Sequence, residues 1–75
     1  MQEVNVGKVP PILVTKQTLC DMFQISMTFL EDNFLNDDRM ESIAYRKGSR
    51  FVRYEYEKAK QYMIEIFIEI SEEAS

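Results

Sequence analysis

A regular apolar spacing in the last third of the chain is the strongest constraint on its fold. Between residues 55 and 70, apolar side chains recur every three or four positions, the spacing of one helix face. They are Tyr56, Ala59, Tyr62, Met63, Ile66, Phe67 and Ile70. We therefore predict a helix from Glu55 to Ile70 with this face buried. Ile64 and Ile68 fall outside the face, so we expect a second copy of the chain, or residues 1–11, to cover them.

Length and composition exclude several classes of function. The chain has 75 residues, enough for one domain with a small core. Cys20 is the only cysteine and histidine is absent, which excludes an internal disulfide, the usual zinc sites and Cys-His or Ser-His-Asp catalysis. No apolar run approaches the roughly 20 residues of a membrane span, and no signal-peptide pattern opens the chain. We expect a cytoplasmic protein that is not an enzyme, with no catalytic residue, cofactor, metal or membrane partner.

Two shorter helices are predicted before the long one. Thr15 is a good N-cap for a helix from about Lys16 to Phe23, and Ser26 for a second helix from about Met27 to Asn36. The acidic pair at residues 37–38 opposes the helix dipole, so the second helix should stop just before it. Residues 1–11 show no period and hold two prolines. We interpret them as a flexible arm, which leaves residues 12–75 as the domain.

A basic β-hairpin is predicted between the second helix and the long one. The stretch IAYRKGSRFVRY, residues 43–54, holds strand-forming residues on both sides of a turn in which Gly48 can take a positive φ. We predict strands near 43–46 and 50–54. The predicted core is Leu19, Phe23, Ile25, Leu30, Phe34, Phe51, Tyr62, Met63 and Ile66, with Cys20 buried beside it.

Charge is distributed unevenly along the chain. Its net charge is −4, yet residues 39–60 carry seven cations and three anions, a net +4. Residues 1–38 and residues 61–75 each carry −4. The hairpin alone holds four of the nine basic residues. Such a patch either pairs with neighbouring acids as a solvated surface or contacts an anionic partner.

The order of these segments resembles that of a known family. LVTKQTLCDMFQIS, then MTFLEDNF, then IAYRKGSRFVRYEYEKAKQYM are similar to the excisionase and MerR-type winged helix-turn-helix proteins of phages and mobile elements. Val14-Thr15 stand where that family opens its first helix, Cys20 where it has a small residue, and Ile25-Ser26 where a hydrophobic-Ser pair follows the turn. Residues 46–51 match the wing that leads into the last helix. The resemblance covers about residues 12–63.

This resemblance implies a fold and a function. The fold is α+β, a small winged helix-turn-helix with two short helices, a β-hairpin wing and a long C-terminal helix. The function is binding of double-stranded DNA in recombination or transcription regulation, with the second helix in the major groove and the wing on phosphates or the minor groove. The DNA-binding residues would be Met27, Thr28, Arg46, Lys47, Ser49, Arg50 and Arg53.

Acidic residues on the second helix favour an alternative. The family usually has basic or neutral polar side chains on the exposed face of this helix, whereas Glu31 and Asp32 stand here and would repel phosphates. The alternative is a winged-helix accessory or inhibitor protein that binds a basic protein through this helix. The partner-binding residues would be Glu31, Asp32 and Leu35, with Ile64 and Ile68 holding a homodimer together through the C-terminal helix.

Overall fold

The computed structural model describes residues 12–74, so the arm predicted at residues 1–11 lies outside the described residues. In the described part, four α-helices and three strands form an α+β unit. The helices are α1 (Lys16–Phe23), α2 (Met27–Leu30), α3 (Asp38–Ser42) and α4 (Tyr56–Ala74), and α2 continues as a π-helical turn, Glu31–Leu35. The strands are β1 (Leu13–Val14), β2 (Ala44–Lys47) and β3 (Phe51–Glu55). The predicted fold class is confirmed, and the arrangement is compatible with a small winged-helix fold.

The predicted caps of the first two helices are confirmed. Thr15 Oγ1 accepts a hydrogen bond from the Thr18 amide at 3.1 Å, and Ser26 Oγ accepts one from the Phe29 amide at 3.1 Å. Between the helices, Gln24 takes a left-handed conformation with φ of 56°. This residue reverses the chain in the tight turn of the helix-turn-helix unit.

The acidic pair at residues 37–38 has a second role that the sequence analysis did not predict. The helical segment stops at Leu35, as expected, but Asp37 then caps a new helix, α3. Its Oδ1 accepts from the Arg39 amide at 2.9 Å. A carboxylate at a helix start is favourable for the same dipole that disfavours it at a helix end. The structure therefore adds a helix immediately before the hairpin.

The sheet has three antiparallel strands in the order β1-β3-β2. Both hairpin strands begin one residue later than predicted, and the turn contains Gly48 at a φ of 68°, as expected. Strand β1 was not predicted from the sequence; in it, Leu13 pairs with Glu55 and Val14 with Tyr54. This pairing places β3 in the centre of the sheet.

The hydrophobic core lies between the sheet and the helices. Its buried residues are Leu19, Cys20, Leu30, Phe34, Met40, Ile43, Tyr54, Ala59, Met63 and Ile66, and the partly buried Phe23, Ile25 and Tyr62 pack against it. Only Phe51 was wrongly assigned to the core, since 45% of its surface is exposed. It lies on the opposite face of β3 from the buried Tyr54, because successive strand residues point to opposite faces.

Helix α4 carries its predicted inner and outer faces. Ala59, Met63 and Ile66 are buried, whereas Ile64 and Ile68 are 48% and 53% exposed. The helix begins one residue later than predicted and continues four residues further, to Ala74. Within the described residues, no helix has the length and apolar character needed to cross a membrane.

Candidate nucleic-acid interface

The register of the hairpin sorts its side chains onto two faces. Tyr45 pairs with Arg53 and Lys47 with Phe51, so these four side chains share the outer face of the sheet. The intervening residues, Ala44, Arg46, Val52 and Tyr54, lie on the inner face, where Tyr54 enters the core. The predicted wing residues therefore do not form one continuous patch.

Arg46 is already engaged by an acidic neighbour. Its Nη2 atom lies 2.6 Å from Glu41 Oε2, and both side chains are about half exposed. Glu41 belongs to α3, the helix that the sequence analysis did not predict. Arg46 is consequently a weaker candidate for a phosphate contact than the other hairpin cations.

Most other cations in the described residues also pair with carboxylates. The pairs are Lys16–Glu31 at 4.0 Å, Lys58–Glu55 at 3.9 Å, Lys60–Glu57 at 3.3 Å, and Arg39 with Asp37, Glu65 and Glu69 at 2.8–3.3 Å. The cations without a carboxylate partner in this part of the chain are Lys47, Arg50 and Arg53, and all three belong to the hairpin. Lys47 and Arg50 are exposed at its tip together with Ser49.

Arg53 is held in place by an aromatic ring. Its guanidinium carbon lies 4.3 Å from the centre of the Phe51 ring, and Nη1 donates to the Val52 carbonyl at 2.9 Å. Tyr45 lies beside it and donates its hydroxyl proton to Glu55 at 2.7 Å, which raises the pKa of Tyr45. The outer face thus combines exposed aromatic rings with an oriented guanidinium group.

The position of Phe51 on this face was readable from the sequence but was missed. In β3, Phe51 shares its parity with the charged residues Arg53 and Glu55, whereas Val52 and Tyr54 form the alternate apolar set. Strict alternation of this kind predicts that the set containing the charges points outward.

The start of α2, the second part of the predicted DNA site, is only partly accessible. Thr28 is exposed, but Met27 is partly buried and packs against the core. Helix α2 packs on α1, which in turn packs on β3. Helix α1 therefore connects the predicted groove-reading helix to the wing.

The acidic face of the second helical segment is exposed as predicted, apart from one residue. Glu31 lies 4.0 Å from Lys16, and Asp32 is exposed with no ion pair to a described residue. Leu35, expected to contact a partner, is partly buried against the core. The face therefore offers carboxylates, with little apolar surface from Leu35.

Carboxylates also surround Arg39, another of the seven cations in residues 39–60. Its Nη2 and Nη1 atoms donate to both carboxylate oxygens of Glu69 at 2.8 and 3.0 Å, while Nε donates to Asp37 at 3.0 Å. Hydrogen bonds from Arg39 lower the pKa of Asp37 and of Glu69. Arg39 therefore acts as a link between α3 and α4.

The described residues contain no cluster of Cys, Asp or Glu side chains suited to a metal ion. Cys20 is buried, and its pKa is raised by that burial first and then by Asp21 and Glu31. A thiol in this setting stays protonated and is a poor nucleophile.

No protein family, no curated protein and no solved structure matches this chain. The resemblance of residues 12–63 to excisionase and MerR-type proteins accordingly stays an expectation.

Proposed function

We propose that this protein binds double-stranded DNA through the tip of its β-hairpin, with the start of α2 as a secondary contact. The observation that carries the proposal is the distribution of charge pairing. In the described residues, every cation outside the hairpin has a carboxylate within 4.0 Å, whereas Lys47, Arg50 and Arg53 have none. These three cations are the ones available to phosphates.

Local charge can dominate although the chain is acidic overall. The Debye length is about 8 Å at physiological ionic strength, so a partner at the hairpin tip feels little of the distant carboxylates. Each Lys or Arg that neutralises a phosphate releases condensed counterions, which is the main source of non-specific DNA affinity. Lys47, Ser49 and Arg50 supply the tip, and Arg53 flanks it.

A location in the cytoplasm of a bacterium or a phage-infected cell is part of this proposal. So is a role in recombination or transcription regulation, as for the excisionase-like proteins that residues 12–63 resemble. The winged arrangement and the cationic hairpin support the role, and the location follows from the resemblance alone.

The proposal is tested by titrating fluorescently labelled duplex of random sequence at low and moderate salt. Lys47→Ala and Arg50→Ala should each weaken binding on any sequence and reduce the salt slope by about one unit. Lys58→Ala and Lys60→Ala are matched controls, because these lysines lie on α4 and pair with Glu55 and Glu57. Equal losses in all four variants would mean that only total charge matters, which contradicts a hairpin site.

The exposed carboxylates of Glu31 and Asp32 support a second candidate function, the binding of a basic protein. The two functions respond oppositely to charge reversal. If the partner is DNA, Glu31→Lys and Asp32→Lys should strengthen duplex binding by removing repulsion. If the partner is a basic protein, the same variants should lose it, and the parent should fail to bind random duplex even at low salt.

A further inference from the structure

The outer face of the hairpin has a feature that contact with duplex phosphates does not require. Phe51 and Tyr45 expose 45% and 44% of their surface there, on either side of Arg53. Exposing two large rings to water on one small sheet face is unfavourable, because burial of aromatic side chains contributes a large favourable free energy. A ligand with apolar, planar groups would cover them.

The spacing of the two rings indicates whether a base-paired or an unpaired nucleic acid fits them. Tyr45 and Phe51 are diagonal neighbours on adjacent strands, because Tyr45 pairs with Arg53 and Phe51 with Lys47. Diagonal neighbours lie about 7–8 Å apart, whereas stacked bases in a duplex rise about 3.4 Å per step along each strand. Consecutive bases can reach both rings only if they are unstacked and spread apart, as they can be in a single strand.

The charges on this face suit an anionic strand. Lys47 and Arg53 have no carboxylate partner among the described residues, and Arg53 already lies over the Phe51 ring. Glu55 is the acidic side chain on the same face, and its carboxylate is engaged by the Tyr45 hydroxyl at 2.7 Å and by Lys58 at 3.9 Å. The bond from Tyr45 also fixes the orientation of its ring before any ligand arrives.

We propose that the outer face of the hairpin binds single-stranded nucleic acid, with bases stacked on Phe51 and Tyr45 and phosphates held by Lys47 and Arg53. Stacking of this kind tolerates any base sequence, because every base has a π-face. The site shares Lys47 and Arg53 with the proposed duplex contact but goes beyond it, since the aromatic rings recognise unpaired bases.

The test uses fluorescence polarisation of labelled 15-nucleotide oligo-dT and oligo-rU, with a labelled random duplex alongside. Phe51→Ala should weaken single-strand binding by about 5- to 150-fold and leave duplex binding within about twofold of the parent. Phe51→Leu, which keeps an apolar side chain without a π-face, should lose as much as Phe51→Ala. Ile12→Ala is the control for removal of an exposed apolar side chain elsewhere, since 68% of the surface of Ile12 is exposed.

A tryptophan reporter gives a second, direct measurement. The chain contains no tryptophan, so Phe51→Trp introduces a single indole that retains stacking. Its emission should be quenched as oligo-dT saturates the protein. An unchanged emission at saturation, or single-strand binding by Phe51→Leu equal to that of the parent, would overturn the stacking site. Failure of single-strand binding with intact duplex binding overturns this inference alone, whereas failure of duplex binding overturns the proposed function.

Discussion

At the residue scale, Leu30 is the side chain that most directly joins α2 to the core. It is fully buried and lies in the same cluster as Leu19 and Phe34. Leu30→Ala should lower the free energy of unfolding by about 2–5 kcal/mol, because the substitution removes apolar contacts and leaves a cavity. Leu13→Ala is the control, since 39% of the surface of Leu13 is exposed on β1, whereas Leu30 is fully buried. Urea unfolding followed by circular dichroism measures both, and equal midpoints for the two variants would show that Leu30 is not a core residue.

At Gln24, by contrast, a substitution is predicted to stabilise the protein. It takes a φ of 56° at the end of α1, a conformation that glycine adopts without steric cost. Gln24→Gly should therefore raise the free energy of unfolding by about 0.5–1 kcal/mol. Gln61→Gly, at an exposed position within α4, should instead lower it by about 1 kcal/mol, because glycine is unfavourable inside a helix. A loss of stability in Gln24→Gly would contradict the left-handed turn.

Burial of single residues was predictable where helical spacing decides it. Leu19, Leu30 and Phe34 were placed in the core from three- and four-residue steps, and all three are buried. Strand residues were harder, because a shift of one residue moves every side chain to the other face. The misplacement of Phe51 is an error of this kind.

At the element scale, the first two helices, which have clear caps, were predicted, and two short elements, β1 and α3, were not. Thr15 and Ser26 mark their helices by a local hydrogen bond that sequence alone can suggest. Strand β1 has two residues, and only its pairing with β3 makes it a strand. Helix α3 was missed because Asp37 was interpreted only as the end of one helix and not as the cap of the next.

The link between α3 and α4 gives a prediction about pH. Arg39 lowers the pKa of Asp37 and Glu69, so their ionised forms stabilise the folded state. That contribution is present above the usual pKa values of Asp and Glu, near 4, and is lost as pH falls through the lower folded values. Arg39→Ala should thus lower the melting temperature at pH 7, with a smaller difference from the parent below about pH 4. A difference independent of pH would contradict the ion-pair link.

Lys16→Ala is the matched control for this experiment. Lys16 pairs with Glu31, so its removal leaves the contact between α3 and α4 intact. An isolated surface pair of this type contributes little to stability. Its melting temperature should follow that of the parent across the same pH range.

At the scale of the whole molecule, the cationic hairpin was predictable but the set of available cations was not. The sequence placed seven cations in residues 39–60. The structure engages Arg39 with Glu69 and Arg46 with Glu41, in both cases through contacts that involve α3. Because α3 was not predicted, these two pairings could not be foreseen. The charge pattern did predict that the hairpin is basic, whereas residues 1–38 and 61–75 are acidic.

Helix α4 presents exposed apolar surface of its own, and its charges indicate how two copies would meet. Ile64 and Ile68 lie four residues apart on its exposed side. Lysines 58 and 60 lie in its first half together with Glu57, whereas the other four glutamates, at 65, 69, 72 and 73, lie at or beyond its midpoint. In an antiparallel dimer packed through the two isoleucines, the first half of one α4 lies against the second half of the other. A parallel dimer would instead place the glutamates of the two copies side by side. When Ile64 of one copy lies opposite Ile68 of the other, Lys60 of one copy faces Glu72 of the other.

We therefore expect an antiparallel homodimer through α4. Ile64→Lys with Ile68→Lys should give a folded monomer, because it places charges in the apolar contact. Phe51→Lys is the control, as a comparable change to an exposed ring on the hairpin. Lys60→Glu and Glu72→Lys should each weaken association, and the double reversal should restore it. Sedimentation equilibrium over a range of protein concentrations measures all of these. A parent that stays monomeric at millimolar concentration contradicts the dimer, and a double reversal no better than either single change contradicts its antiparallel orientation.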